Sequence, residues 1–130
     1  MGSSLTQGMT IDANIVIAYL NGDEQVEEVL TSWRRVGRIL FLSTVAEAEV
    51  LAFRDWSDEE RRATELFLEE NFTSIPFDRA TARLAAQIRL LKVKLPDAAI
   101  AATALFTHTP LVTRNQRDFA RIPGLRIVTI

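Results

Sequence analysis

Short apolar runs alternate with amphipathic segments along this chain, and this alternation limits the fold more than any other feature. Strands buried on both faces are apolar throughout, which is typical of a parallel sheet covered by helices. The sequence therefore predicts a three-layer α/β/α domain with a central, mostly parallel sheet. The predicted strands are MTI, ILFLS, TSIPF, PLVT and LRIVTI.

The size of the chain indicates one domain. It has 130 residues, of which 48% are hydrophobic, enough for a single buried core. The opening segment, Met1–Gly8, is polar and unpatterned, and we interpret it as an added or disordered N-terminal extension. The predicted domain spans residues 9–130.

Several classes of chemistry are excluded by what the sequence lacks. Without cysteine there is no disulfide, thiolate zinc site or cysteine nucleophile. The single histidine, His108, cannot form a two-histidine acid–base pair, and there is no Gly-rich phosphate loop. No apolar run approaches the length of a membrane span, so we expect a cytoplasmic protein without membrane contact. The net charge of −2 gives no support for nucleic-acid binding.

Acidic residues lie where the predicted strands end. Asp12 follows the first strand, Glu49 lies in the helix after ILFLS, Asp97 begins a helix, and Asp118 follows PLVT. Ligands of open parallel sheets collect at the carboxyl ends of the strands. The four acids are therefore candidates for one site.

Each acid also has a structural interpretation. Asp12 and Asp97 are both placed to cap helices or to stabilise their first turns. Glu49 is different, because a carboxylate beside Val50 and Leu51 must face solvent or meet a cation. Glu47 points elsewhere on the same helix and is better explained as a solvated or supporting acid.

Converging carboxylates favour a hard cation. Their mutual repulsion is costly unless protons or cations balance it. Oxygen ligands select Mg²⁺ or Mn²⁺, which keep several waters and accept phosphate oxygens from a substrate. Phosphodiester hydrolysis is the natural reaction for such a site.

Four segments together resemble the VapC-type toxins of the PIN-domain family, and the match runs from Met9 nearly to the C-terminus. The order and spacing of LPDAAIAATA and LVTRNQRDF are the most specific part. The four segments are IDANIVIAYL, LSTVAEAEVLAF, KLPDAAIAATAL and PLVTRNQRDFARIPGL.

The resemblance implies a Mg²⁺- or Mn²⁺-dependent ribonuclease that is the toxin of a type II toxin–antitoxin pair. It also implies a homodimer inhibited by a cognate VapB-type antitoxin. Asp12, Glu49, Asp97 and Asp118 match the catalytic acids, with Asp12, Asp97 and Asp118 as metal ligands. Asn115 stands where some relatives carry the fourth acid, so it shares that position with Asp118.

Polar residues near these acids are candidates for binding the RNA substrate. The first motif reads DAN where DTN is common, so a hydroxyl near Asp12 is missing while Asn14 is kept. The Thr113 hydroxyl is placed to steady Asp12 or to bind phosphate. Arginine matches the geometry of phosphate. The candidates for substrate binding are Asn14, Thr113, Arg114, Asn115 and Arg117.

Two other interpretations compete with the nuclease. One is a PIN-like module that binds RNA or protein without turnover. The other is a phosphorylated receiver domain, which shares the alternating layout but needs a lysine late in the sheet, where this chain has Arg114.

Overall fold

The computed structural model describes residues 8–130 and places five parallel strands in one sheet with the order β3-β2-β1-β4-β5. In chain order the elements are β1 (Met9–Ile11), α1 (Ala13–Leu20), α2 (Glu24–Arg35), β2 (Leu40–Ser43), α3 (Thr44–Ala52), α4 (Asp58–Asn71), β3 (Thr73–Ile75), α5 (Arg79–Arg89), α6 (Leu95–Thr107), β4 (Leu111–Val112), α7 (Gln116–Phe119) and β5 (Ile127–Val128).

The first strand is at the centre of this sheet. Thr10 pairs with Phe41 of β2 on one side and with Leu111 of β4 on the other, both in parallel register. Helices flank the sheet, so the predicted three-layer α/β/α fold is confirmed. The strand order differs from the 2-1-3-4-5 order of receiver-like domains, which removes that interpretation.

Capping side chains that are typical of helix starts begin several of the helices. Ser57 and Glu60 form a reciprocal capping box at α4. The Asp78 carboxylate accepts from Thr81 N, and Ser43 Oγ accepts from Val45 N at the start of α3. These bonds satisfy amide groups that a helix cannot pair internally.

The helix α3 differs from the pattern expected for it. The helical spacing of Val45, Ala48, Leu51 and Ala52 predicts one apolar stripe, but the structure buries Ala46 and Val50, and Ala48 is exposed. The helix contacts α1, α4, α6 and β2, so its apolar residues face several directions. The one-turn helix α7 was also missed, because four residues are too short to show a helical period.

The helix α6 is the most buried one. Its seven residues Ala98–Ala104 are all inaccessible, and their small side chains let it approach β1, β2 and α5 closely. It ends at His108, which has a left-handed backbone (φ 56°) and an exposed side chain. No helix among residues 8–130 has both the length and the apolar character needed to cross a membrane.

The predicted N-terminal extension falls mostly outside the described residues, since 1–7 are not among them. Gly8, its last member, packs within the domain. A Cβ at Gly8 would lie 2.5 Å from Ile39 O and 2.6 Å from Phe41 Cε2, so only glycine fits beside β2. The close packing therefore begins at least one residue before Met9.

Candidate active site

A hydrogen-bond network joins the carboxyl ends of β1 and β4. Thr113 Oγ1 donates to Asp12 Oδ2 at 2.7 Å and accepts from Asn115 N at 2.9 Å. Asn14 Nδ2 contacts the same hydroxyl at 3.4 Å, and Asn14 Oδ1 accepts from Arg114 N at 3.4 Å. The network fixes the Asp12 carboxylate at the centre of the sheet edge.

Asp12 differs in its hydrogen bonds from the aspartates that cap other helices of this chain. Asp23 and Asp78 also precede helices, and each accepts a backbone N–H of its own helix. Asp12 occupies the same position before α1 but makes no side-chain cap bond. Its carboxylate is only 6% exposed and has Thr113 as its one side-chain donor. Burial raises the pKa of Asp12, and the Thr113 hydroxyl and the backbone amides of Ala13 and Asn14 lower it without offsetting the burial, so a cation would stabilise the ionised form further.

Three carboxylates face one pocket of about 480 Å³. Asp12, Glu49 and Asp97 line it with Asn14 and Asn115, and none of the residues lining it is basic. Burial raises the pKa of Asp12, the Thr113 hydrogen bond opposes this, and the charge of Asp97 adds to the rise. Burial and then the charges of Asp12 and Asp97 raise the pKa of Glu49. We call this space the acidic pocket.

Glu49, rather than Glu47, belongs to the acidic pocket. Burial raises the pKa of Glu47 as well, but its charged neighbours are Glu69 and Glu65 of α4. The two glutamates of α3 therefore point to different parts of the molecule.

The fourth position divides between two residues. Asn115 lines the acidic pocket, whereas Asp118 lines a neighbouring cavity. Asp97 lines both of these spaces. Asn115 Nδ2 donates to Asp118 Oδ2. Burial and then the charge of Asp118 raise the pKa of Asp97, while Lys94 lowers it. Asp118 thus approaches the acids from the second cavity.

The two candidate arginines have different surroundings. Arg114 Nη2 lies 2.8 Å from Asp23 Oδ2, and its Nε donates to Ile130 O at 3.0 Å. These contacts tie the C-terminus and the start of α2 together, and Arg114 lines neither the acidic pocket nor the cavity beside it. Arg117 lines the cavity beside the acidic pocket.

The carboxylates fit a hydrated divalent cation better than a fully protein-enclosed one. No group of three or more His, Asp or Glu side chains within residues 8–130 forms a ready-made metal cluster. Mg²⁺ usually takes one or two carboxylates and keeps several waters. The acidic pocket, which has three carboxylates, two amide side chains and no basic residue, offers such a donor set.

Sequence reasoning missed several residues of the two pockets. Lys92, Lys94 and Arg121 line the second cavity, and Ile17 and Phe53 line the acidic pocket. The two lysines just before LPDA are visible in the sequence, whereas Arg121 is one of several arginines near the C-terminus and has no distinguishing pattern. Nothing in the pattern marks Phe53, because an aromatic residue after a helix usually joins the core.

Known proteins resemble this chain over nearly its full length. The model of the PIN domain family matches residues 9–125. The protein "Ribonuclease VapC" of Rickettsia bellii is 26% identical and "Ribonuclease VapC1" of Rickettsia felis 27%, each alignment covering 95% of this chain and 96% of the relative. A solved toxin–antitoxin complex from Klebsiella pneumoniae contains a chain that is 31% identical, with a TM-score of 0.79, covering 94% of this chain and 97% of that one.

Proposed function

Because the chain belongs to the PIN domain family, we propose that it is a Mg²⁺- or Mn²⁺-dependent ribonuclease that acts as the toxin of a type II toxin–antitoxin pair. The observation that carries this is the acidic pocket, where three carboxylates meet without a basic residue. The curated relatives named as ribonucleases support the same reaction.

Each acid has a role in this proposal. Asp12 and Asp97, which both line the acidic pocket, would hold the ion, and Asp118 would support it through its proximity to Asp97. Glu49 lies in the exposed part of α3, where it can orient an attacking water. A divalent cation at such a site polarises the phosphodiester, activates water and stabilises the leaving oxygen.

Other residues position the RNA. Asn14 and Asn115 present amide groups to the acidic pocket, and Thr113 fixes both of them and Asp12. Phe53 and Ile17 form the apolar part of the lining. Unpaired bases of single-stranded RNA stack on aromatic side chains, so Phe53 is suited to hold a base beside the cut phosphate.

The proposal includes the partners expected from the sequence. The similar chain from Klebsiella pneumoniae was solved as a toxin–antitoxin complex, which supports a VapB-type antitoxin that inhibits this chain. A homodimer and a cytoplasmic location stay predictions.

An RNA cleavage assay tests the proposal. The purified chain is incubated with RNA and Mg²⁺ or Mn²⁺, and we expect cleavage that stops in excess chelator. Asp97→Asn should lower the rate more than about 100-fold, since even outer partners of metal sites cost about 10–100-fold. Asp58→Asn is the matched control, because Asp58 is also in the first turn of a helix but faces solvent and pairs with Arg61.

The same assay distinguishes the metal-dependent nuclease from a module that binds RNA or protein without turnover. Cleavage that persists in chelator, or equal losses in both variants, contradicts the metal-dependent nuclease. RNA or protein binding without cleavage under any metal condition favours the binding module.

A further inference from the structure

A second cavity of about 270 Å³ adjoins the acidic pocket and has the opposite charge. Lys92, Lys94, Arg117 and Arg121 line it with two carboxylates, Asp97 and Asp118, so four cations face two anions. The whole chain carries a net charge of −2, which makes this local excess of positive charge unusual. We call this space the basic pocket.

The two lysines come from a rigid connection between α5 and α6. Val93 between them is buried, and its carbonyl accepts from Arg89 Nη1 at 2.9 Å. Lys92 N donates to Arg89 O at 2.9 Å. These contacts anchor the connection and leave both lysine side chains at the basic pocket.

Lys92 adopts a backbone conformation that favours glycine. Its φ is 67°, one of two left-handed non-glycine values among residues 8–130. Lys92 lies in the turn that follows α5, where the left-handed region is sterically disfavoured for a residue with a Cβ. Glycine is therefore well tolerated at this position.

The opposite wall is formed by the segment around α7. Buried Phe119 anchors that segment, and Arg117 and Arg121 project from it into the pocket. Arg121 Nη1 also approaches Leu91 O at 3.4 Å, which connects this wall to the lysine connection. The basic pocket is therefore enclosed by two segments that contact each other.

Asp97 lines both pockets. A group bound in the acidic pocket and a group bound in the basic pocket would therefore both be neighbours of the Asp97 side chain. We propose that the basic pocket binds the backbone phosphate next to the one that is cleaved, and so sets the path of the RNA strand across the site. This rests on the proposed ribonuclease function. Ammonium and guanidinium groups together suit a phosphodiester, whose single negative charge is shared by two non-bridging oxygens that can both accept hydrogen bonds.

The test compares two double variants that remove the same charge. Lys92→Gly with Arg117→Gln removes two positively charged groups from the basic pocket. Glycine suits the left-handed backbone at position 92. The control is Arg62→Gln with Arg83→Gln, since both arginines are exposed and neither has a side-chain hydrogen bond or ion pair within the described chain. Arg117→Gln alone serves if the pocket variant fails to fold in thermal melts.

The readout is binding of a labelled single-stranded RNA oligomer to the full chain in chelator, measured by fluorescence anisotropy at several salt concentrations. Each phosphate contact to a single strand contributes about 0.7 to the slope of log K against log salt. We expect the pocket variant to lower the slope by about 0.7 and to weaken binding roughly tenfold at low salt. The control variant should leave the slope unchanged.

If the slope of log K against log salt for RNA binding is unchanged in the pocket variant, the inference is wrong. The same holds if the slope is unchanged and the variant instead loses binding of an acidic protein partner. Absence of RNA binding by the unsubstituted chain also overturns it. The ribonuclease proposal is judged separately by cleavage with Mg²⁺ or Mn²⁺. A chain that shows the expected slopes but never cleaves RNA keeps phosphate binding by the basic pocket, whereas the nuclease proposal and the placement beside a cleaved phosphate are then wrong.

Discussion

Thr113 Oγ1 donates a 2.7 Å hydrogen bond to Asp12 Oδ2 and so joins two residues 101 positions apart. Asp12 follows β1 and Thr113 follows β4, which are neighbours where the strand order of the sheet reverses. Ligands of open parallel sheets bind outside the strand ends at such a point. The bond therefore fixes the central carboxylate where the fold itself favours a site.

Loss of the Thr113 hydroxyl should damage both stability and the site. Thr113 is fully buried, and Thr113→Val leaves the Asp12 carboxylate and Asn115 N without that partner. We expect the free energy of unfolding to fall by about 1–3 kcal/mol in denaturant titrations. Thr113→Ser keeps the hydroxyl and should lose only about 0.8 kcal/mol for one buried methyl group. Equal losses in the two variants would contradict the role of the hydrogen bond.

Asp12→Asn should stabilise the metal-free protein at neutral pH. Burial raises the pKa of Asp12, so the folded state holds the proton more tightly than the unfolded state does. Stability is therefore lost as pH rises from the ordinary value of 3.8 through the raised pKa of the folded protein. Removing the charge should restore about 0.5–2 kcal/mol, the usual gain from relieving such a site.

Thermal unfolding in chelator and in Mg²⁺ measures this effect. In chelator the gain from Asp12→Asn should shrink as the pH falls toward 3.8, where the wild-type carboxyl keeps its proton. Mg²⁺ should raise the melting temperature of the wild type more than that of the variant, because a ligand stabilises the state it binds. A variant that is less stable than the wild type in chelator at neutral pH would refute the prediction.

The two glutamates of α3 provide an internal comparison. Glu49→Gln should lower the rate of RNA cleavage at least about 10-fold, as expected for loss of a water-orienting group that acts in acid–base catalysis. Glu47→Gln should leave the rate unchanged, because the charged neighbours of Glu47 are Glu69 and Glu65 on α4. A larger loss from Glu47→Gln than from Glu49→Gln would reverse this assignment.

Asp118 should matter less than Asp97. Asp118 reaches the acidic pocket only through Asp97 and Asn115, so Asp118→Asn should reduce cleavage or Mg²⁺ affinity about 10–100-fold, the range for outer partners of a metal site. Cleavage rates and calorimetric Mg²⁺ titrations of Asp118→Asn and Asp97→Asn measure the difference. A loss as severe as that of Asp97→Asn would mean that Asp118 contacts the ion itself.

Local patterns explain why most of the fold was predictable. The capping residues Ser57 and Asp78 act on amides two to three positions away, so their effect is visible in the sequence. The strands that are buried on both faces consist mostly of apolar residues, so the sequence predicts their burial as well. The apolar stripe predicted on α3 is wrong because the burial of this helix depends on four packing partners, of which α1 and α6 are distant in sequence.

The site was predictable only in part for the same reason. Asp12 and Asp97 stand at strand and helix ends, which the sequence marks. The contact of Arg114 with Asp23 and the meeting of Lys92 with Arg117 depend on how separate segments pack, and no local pattern encodes this. The resemblance to a family named the candidate acids, which stay a prediction, but carried no information about the lysines.

The backbone amides of the site should exchange with solvent at different rates, because only some of them lie inside the central sheet. Asp12 N donates to Val112 O and Thr113 N donates to Val128 O, both inside the sheet. These amides should exchange with solvent only when the whole domain unfolds, whereas Lys92 N and Asp118 N are each held by one exposed turn and should exchange sooner. Asp12 thus rests on the slowest-opening part of the protein, and the segments that carry Lys92 and Asp118 should open locally without unfolding it.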